Sequence, residues 1–452
     1  MPPRQELSAL DELFLRLEGP EVHMHVGSLA IFRGPAPGRA ELADMFDRRL
    51  DLVPRLRQVV VEVPLGLGRP VWLDDTSFDL DRHISTETAH GDLNSLVAGL
   101  MSRPLDRSRP LWDVWLVDGL PEDRFALVSR THHSLVDGVA GADVIAVMLD
   151  PSPTATVRPR SSWTPEPAPT PEDLGREALR RLLNSPGEAA TRILGALAKD
   201  PAGVTEKVAA KLGAVADFVA ESFSAPPSTL NRPIGTRRRF ETVLADLEDL
   251  LAVKRAFGVK LNDVVLSVVA GGLRHFLASR GEAVADSLRA GVPISLRAPG
   301  EALTLGNRIA SVWAALPVQE PDPATRLALV HDEMTRLKSS DQVAGVEALL
   351  SIGQWLPPAL VAQAARLLAR QRAFNLVITN VPGPRAPLYC LGRRLTELYP
   401  LVPLGANATV AVALFSYDTT VGFGIMGDYD AAPDLALLAE GIEKEIAALV
   451  RS

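Results

Sequence analysis

The chain has 452 residues, 47% hydrophobic and 23% charged, which suits a globular protein with room for two large cores. Lys plus Arg number 47 against 55 Asp plus Glu, a net charge of -8 that argues against wrapping nucleic acid but leaves room for a local basic patch at an anionic ligand. The single cysteine, Cys390, excludes an internal disulfide framework and a cysteine-rich metal site.

In chain order, the start Met1-Pro2-Pro3-Arg4-Gln5-Glu6 lacks an apolar signal core, so secretion is not expected. Val22 to Phe32 reads as a strand and Glu41 to Arg49 as a short helix. Val59 to Val63 and Phe125 to Arg130 read as strands, with helical spacing over Asp92 to Met101. Pro151 to Pro171 is rich in proline and polar residues and is expected to be a linker or an exposed crossover. Pro171 to Phe223 is helix-rich, either a connector packed on the body or an amphipathic surface that touches lipid.

From Ser228 the α/β pattern returns. Strands are expected over Arg238 to Leu247, Gly291 to Ser295, Ser311 to Leu316, Phe374 to Thr379, Leu395 to Tyr399, Thr409 to Ser416 and Thr420 to Met426. Helices are expected over Leu247 to Ala256, Asn262 to Ser279, Ala324 to Leu337 and Pro357 to Arg370. The division is thus two α/β halves, 1–150 and 228–452, with a connector over 151–227. The longest apolar stretch, Leu401 to Tyr417, is broken by Pro403, Gly405 and Asn407 and reads as buried strand, so the protein is expected to be soluble or peripheral.

The chemistry concentrates at His132-His133-Ser134-Leu135-Val136-Asp137-Gly138, delivered by the strand over Phe125 to Arg130 and succeeded by a helix from about Gly138 to Val147. An imidazole titrates near neutrality and suits general-base work. Adjacent histidines on extended backbone point to opposite sides, so one is the base and the other packs or orients. Asp137 either completes a His–Asp dyad or is a buried anion paired with an arginine. Two histidines and an aspartate can also bind a metal, but no further close ligand accompanies them, and none is expected.

This HHxxxDG pattern resembles the signature of CoA- and carrier-dependent acyltransferases. Further blocks narrow the resemblance to bacterial wax ester synthase/diacylglycerol acyltransferases. They are Leu7-Ser8-Ala9-Leu10-Asp11 with Phe14-Leu15 and Glu18, then Met24-His25-Val26-Gly27, and Arg103 to Trp112 with its Pro110-Leu111-Trp112. Asn262-Asp263-Val264-Val265-Leu266, Val292 to Arg297, Gly306-Asn307-Arg308 and Thr379 to Pro384 come next, in family order. The resemblance implies an α/β fold of two chloramphenicol-acetyltransferase-like halves with a tunnel between them. It implies acyl transfer from a long-chain acyl-CoA to diacylglycerol or a fatty alcohol. His133 would be the base, and Asp137 a structural anion paired with Arg297. Gly138 would let the chain turn near the channel. Asn262, and more weakly Glu18 and Asp263, would lie near the substrates. Ser134 stands where Ala is common and is small enough to be harmless, and Ala406 stands where a second glycine is expected.

Direct transfer through a ternary complex then needs no covalent acyl-enzyme and no cofactor, with acyl-CoA as a substrate. Cys390 lies outside every motif, which disfavours a cysteine nucleophile. Pro110 and Trp112 read as turn and core residues, Pro382-Gly383-Pro384 as a rigid bend, and Arg237-Arg238-Arg239 as a solvated face that could meet CoA phosphates. The expected setting is cytoplasmic, with peripheral contact to a membrane or lipid droplet and the oligomeric state left open. Two alternatives are a condensation-type enzyme, disfavoured because no carrier-like sequence neighbours these motifs, and a dead lipid-binding protein, disfavoured by the intact His133, Asp137 and Asn262.

Overall fold

The computed structural model describes residues 5–135, 144–154, 158–160, 162–181, 183, 225–282, 284, 286–295, 309–338, 363 and 372–452. The first half supplies α1 (Ala9–Leu17), β1 (His25–Arg33), α2 (Arg39–Asp47), β2 (Gln58–Val61), β3 (Val71–Asp74), β4 (Ile84–Thr88), α3 (Leu93–Met101), β5 (Trp112–Leu120) and β6 (Arg124–His132). The second supplies β7 (Arg238–Asp246), α4 (Leu247–Phe257), α5 (Leu261–Ser279), β8 (Leu288–Ser295), β9 (Ile309–Leu316), α6 (Pro323–Lys338), β10 (Leu376–Pro382), β11 (Tyr389–Cys390), β12 (Arg393–Leu401), β13 (Val410–Tyr417), β14 (Thr420–Asp428) and α7 (Ala436–Arg451).

Helix α1 starts at a reciprocal capping box: the Ser8 hydroxyl accepts from the Asp11 N–H at 3.0 Å, and the Asp11 carboxylate accepts from the Ser8 N–H at 3.3 Å. Asp92 caps α3 by accepting from Ser95 N–H at 2.9 Å, and Gly258 ends α4 in the left-handed conformation.

Two six-stranded mixed sheets carry the fold, in the orders β11-β12-β1-β6-β5-β4 and β7-β14-β13-β10-β8-β9. Three apolar layers cover their faces. Phe125 and Leu127 of β6 face a core with Leu15 of α1 and Leu42 of α2. Ala126 and Val128 face the layer between the sheets, which includes Phe240, Ala413 and Met426. Val412, Leu414, Phe423 and Ile425 of the second sheet pack on Val268 and Leu273 of α5 and Ile442 of α7. Burial on both faces explains why these strands read as continuous apolar runs. Helix α5 is long and apolar enough to cross a membrane by length and composition, but most of it is packed inside this core.

Strands β11 and β12 come late in the chain yet complete the first sheet. β12 pairs antiparallel with β1, with Leu29 opposite Tyr399, and Asp150 and Tyr389 exchange backbone hydrogen bonds at 2.8 Å. Dividing the chain at 150 and 228 therefore follows chain order but not sheet membership, because β12 fills an edge that β1 would otherwise leave open.

The described residues of the Pro-rich segment are irregular but not free. Trp163 meets Phe78 edge-on at 6.1 Å and lies 4.8 Å under the Arg57 guanidinium, and the Glu166 N–H donates to the Asp74 carboxylate at 3.1 Å. Residues 171–181 are helical, and Leu174 and Ala178 pack on Val63 and Val71. The segment is a crossover strapped to the first half. The helices expected beyond 184 and at the start near Gly138 lie outside the described residues, as does the one between Pro357 and Arg370 apart from residue 363.

At Gly422 and Gly424, β14 comes against the backbone of β12. A Cβ would lie 2.1 Å from the Leu398 carbonyl oxygen at Gly422 and 1.9 Å from that of Pro400 at Gly424. Gly424→Ala should therefore lower unfolding stability by about 1–3 kcal/mol, the usual range for overpacking, or more. Urea melts read this directly, and an unchanged midpoint would show that the contact between the sheets tolerates a side chain.

Candidate active site

Strand β6 lies between β1 and β5 and places His132 directly opposite His25. Arg130, two residues earlier, is buried and holds Asp113 of β5 through two hydrogen bonds of 2.9 and 2.5 Å. It also donates to the carbonyls of Leu100 and, at 2.8 Å, Arg103, so the end of α3 is tied to the same strand. Cutting such a buried pair by removing one partner costs about 3–5 kcal/mol, which makes this a rigid platform for the histidine pair at the strand's end.

The His132 ring is fully buried. The Ser134 backbone N–H donates to its Nδ1 at 3.0 Å, and the Ser134 hydroxyl lies 2.7 Å from the same nitrogen. A nitrogen that accepts from a backbone N–H carries no proton, so the neutral ring bears its hydrogen on Nε2. Nε2 faces Glu18 Oε1 at 3.8 Å, beyond hydrogen-bond length. Burial, with the Arg107 charge second and His133 third, pushes His132 down to about 3. Next to it, His25 is also held neutral, well below the usual histidine range, mainly by burial, and its Nε2 lies 3.2 Å from the Met101 carbonyl oxygen.

His133 has different surroundings. Its backbone N–H donates to the Met24 carbonyl at 2.7 Å, and its ring, half-buried, stacks on Phe14 of α1 with centroids 4.1 Å apart and planes at 21°. Phe14 is held in place because the C-terminal end of α1 is clamped. Arg107 donates to Glu18 Oε2 at 2.9 and 2.6 Å and to the Leu15 carbonyl at 2.9 Å. The structure thus brings His132, His133 and Glu18 together.

A second group forms at the start of α5. Asn262 is half-buried, and its Oδ1 accepts from Asn380 of β10 at 3.5 Å, which joins the Asn262-Asp263 block to the Thr379–Pro384 block. Asp263 is buried and structural: it accepts from the Lys260 N–H at 3.1 Å and lies 2.8 Å from His331 Nδ1 of α6. Asp137, Gly138 and Arg297 lie outside the described residues, and the expected Asp137–Arg297 pair with them.

Other expectations find their places. Trp112 is buried, donates to the Leu56 carbonyl at 2.7 Å and stacks on His83 at 4.4 Å. Arg237 and Arg239 both lie over the Tyr429 ring, at 3.8 and 4.0 Å, while Arg238 is buried and bonded to the Gly235 carbonyl at 2.7 Å. The basic run is therefore engaged with its own fold. Burial pushes the Cys390 thiol up to about 12, which makes it a poor nucleophile. Phe14, Arg107 and Asn380 belong to the motif blocks, but their residue types alone assign them no role. Ser134 is more than harmlessly small, because its hydroxyl and N–H both meet His132.

Two stacked mixed sheets with the double histidine at the end of a central strand are the fold shared with wax ester synthase/diacylglycerol acyltransferases and condensation domains. The model of the wax ester synthase/diacylglycerol acyltransferase catalytic domain matches residues 7–265, and that of the WS/DGAT C-terminal domain matches residues 305–450. A probable diacylglycerol O-acyltransferase of Mycobacterium tuberculosis H37Rv is 35% identical over 98% of this chain and 95% of its own length. The solved wax ester synthase/diacylglycerol acyltransferase from Marinobacter aquaeolei VT8 superposes with a TM-score of 0.68 at 28% identity, covering 98% of each chain. The first condensation domain of the calcium-dependent antibiotic synthetase shares the fold, with a TM-score of 0.62 at 17% identity over 99% of this chain and 97% of its own. The chain belongs to the wax ester synthase/diacylglycerol acyltransferase family, and it is an acyltransferase.

The buried His132 sets a pH dependence. Folded, it stays neutral down to about pH 3; unfolded, it takes up a proton near 6.5. Between those values the unfolded chain holds more protons, so stability is fully present above pH 6.5 and is lost as pH falls toward 3. His25, His23 and His83, also lowered mainly by burial, act in the same direction. His132→Asn should remove up to about 1.4 kcal/mol per pH unit from this slope. Urea unfolding of both proteins at pH 5 and pH 7 measures it, and a variant that loses as much stability as wild type on acidification would contradict a neutral buried ring.

Proposed function

We propose that the chain moves a long-chain acyl group from a CoA thioester to the hydroxyl of a lipid alcohol, diacylglycerol or a long-chain fatty alcohol, with His133 as general base. The observation that carries this is the contrast between the two motif histidines. His132 is buried, its Nδ1 is occupied by Ser134, and a ring that protonates only near pH 3 cannot take a proton from an alcohol at neutral pH. His133, at the end of the same strand, is the half-buried member, with its backbone tied to Met24 and its ring set against Phe14.

In this reading His133 accepts the hydroxyl proton as the alcohol oxygen attacks the thioester carbonyl. The C–O bond forms, the tetrahedral intermediate collapses with loss of the C–S bond, and the imidazolium returns the proton to the departing thiolate. Both substrates are present together and no acyl-enzyme forms, in keeping with the unreactive Cys390. Asn262, joined to Asn380, is the second polar group assigned to the substrates. Glu18 acts through His132 as a positioning residue. No cofactor takes part, and the enzyme is placed in the cytoplasm, meeting its water-insoluble alcohol at the surface of a membrane or lipid droplet.

Purified protein offered palmitoyl-CoA with either hexadecanol or diacylglycerol should release free thiol, and the alcohol that supports release identifies the acceptor. His133→Ala should lower the rate by about 10²–10⁴-fold, the usual contribution of a general base. Equal thiol release by wild type and His133→Ala would overturn the assignment. Ser134→Ala, which leaves one of the two contacts to His132, should lose far less.

A further inference from the structure

Among the described residues, Arg55 and Arg57 are the buried arginines with no ion pair. Arg130, Arg49 and Arg326 each face a carboxylate: Asp113, Asp150 and Glu445. Arg55 is 5% exposed, lies in the short 3-10 turn Pro54–Arg57, and has its guanidinium 4.3 Å from the centroid of the buried Trp72 ring. One terminal nitrogen, Nη1, is buried with no hydrogen-bond partner among the described residues. Burial lowers this guanidinium to about 10, and the one opposing influence is the charge of Asp11. A buried cation without a partner is costly, and a compensating anion relieves the cost.

Arg55 lines a cavity of about 150 Å³, whose wall also includes Gln5, Ser8, Trp72 and Ser134. That is far more than the roughly 10–15 Å³ one water needs. Two carboxylates border the cavity, and both have other partners. Asp11 accepts from the Ser8 N–H in the capping box, and Glu6 pairs with Arg181. Ser8 is also the cap of α1, so the positive end of a nine-residue helix borders the same space.

We propose that this cavity is an anion site, taking one small oxyanion, a carboxylate head or inorganic phosphate, on the Arg55 guanidinium against Trp72, with Gln5 and the start of α1 beside it. The negative charge of Asp11 favours an occupant of low charge. The wall residue Ser134 is the one that holds His132 Nδ1, so an occupant would touch the support of the histidine pair without entering the reaction.

The test uses the full chain at pH 7, titrated with sodium phosphate or sodium butyrate at ionic strength matched with sodium chloride. Thermal unfolding and calorimetry are the readouts, and the two arms separate phosphate from carboxylate. One of them should raise Tm saturably. Arg55→Met should raise the apparent Kd at least ten-fold, with a ligand-free Tm equal to or above wild type, because the buried charge it removes has no hydrogen-bond or ion-pair partner among the described residues. The exposed Gln5→Ala should weaken binding several-fold, and it keeps the test open if Arg55→Met does not fold. No saturable response to either ion would overturn the proposal, as would an undiminished response in Arg55→Met or in Gln5→Ala.

Discussion

Where β14 crosses β12, the two sheets meet backbone against backbone. Gly422 and Gly424 let β14 approach the carbonyls of Leu398 and Pro400 on β12, closer than any Cβ allows. β12 is itself hydrogen-bonded to β1, and β1 to β6, in registers that place Leu29 opposite both Tyr399 and Val128. A continuous path of backbone contacts therefore runs from the second sheet to the strand that carries the histidine pair. Side-chain layers can repack by a few tenths of an ångström, but a hydrogen-bond ladder can only slip by whole residues. The position of His132 relative to the second half is therefore set in discrete steps. This is why a strand from late in the chain matters to a motif from early in it.

The same platform explains how two chemically identical neighbours acquire different properties. His132 is still within the sheet, opposite His25, and enters a volume where the charged form is strongly disfavoured. The next backbone turn brings the Ser134 N–H back onto His132 Nδ1, so the turn and the tautomer define each other. His133 lies in that turn. Its neighbour is an aromatic ring from α1, a helix held by a capping box at one end and by the Arg107–Glu18 clamp at the other. Glu18 thus contributes by fixing a helix end and by lying near His132 Nε2.

Much of this is legible in the sequence because burial leaves periodic marks. β6, α5, β13 and β14 are apolar on both faces or nearly so, and their expected spans agree with the observed ones within a few residues. Helix α1 is absent from the expected elements, although Ser8 and Asp11 carry a capping signature. Its nine residues are too few for a clear period, and they coincide with a motif block. Nor does a strand's apolar pattern say which edge it joins, so chain order places β12 in the half that encodes it. The Pro-rich segment has the composition of a free linker, and only the contacts of Trp163 and Glu166 reveal it as a strap. For the site, residue types single out His132 and His133, and the family resemblance adds Asn262. The partners Phe14, Arg107, Ser134 and Asn380 come from distant segments or from backbone geometry that spacing does not encode.

A common device links the two blocks that supply polar groups. In His132-His133 the first residue is buried and bonded, and the second is half-buried. In Asn262-Asp263 the order is reversed: Asp263 caps α5 and lies against His331 of α6, while Asn262 remains half-buried and meets Asn380. Successive side chains diverge both on a strand and on a helix, so one of each pair can be spent on anchoring while the other faces elsewhere. The anchor shares a peptide bond with the half-buried partner and removes backbone freedom there. Holding a reactive group to within a fraction of an ångström usually requires a surrounding shell of side chains. Here an adjacent residue supplies much of that constraint, which suits a site that must also leave room for long apolar substrates.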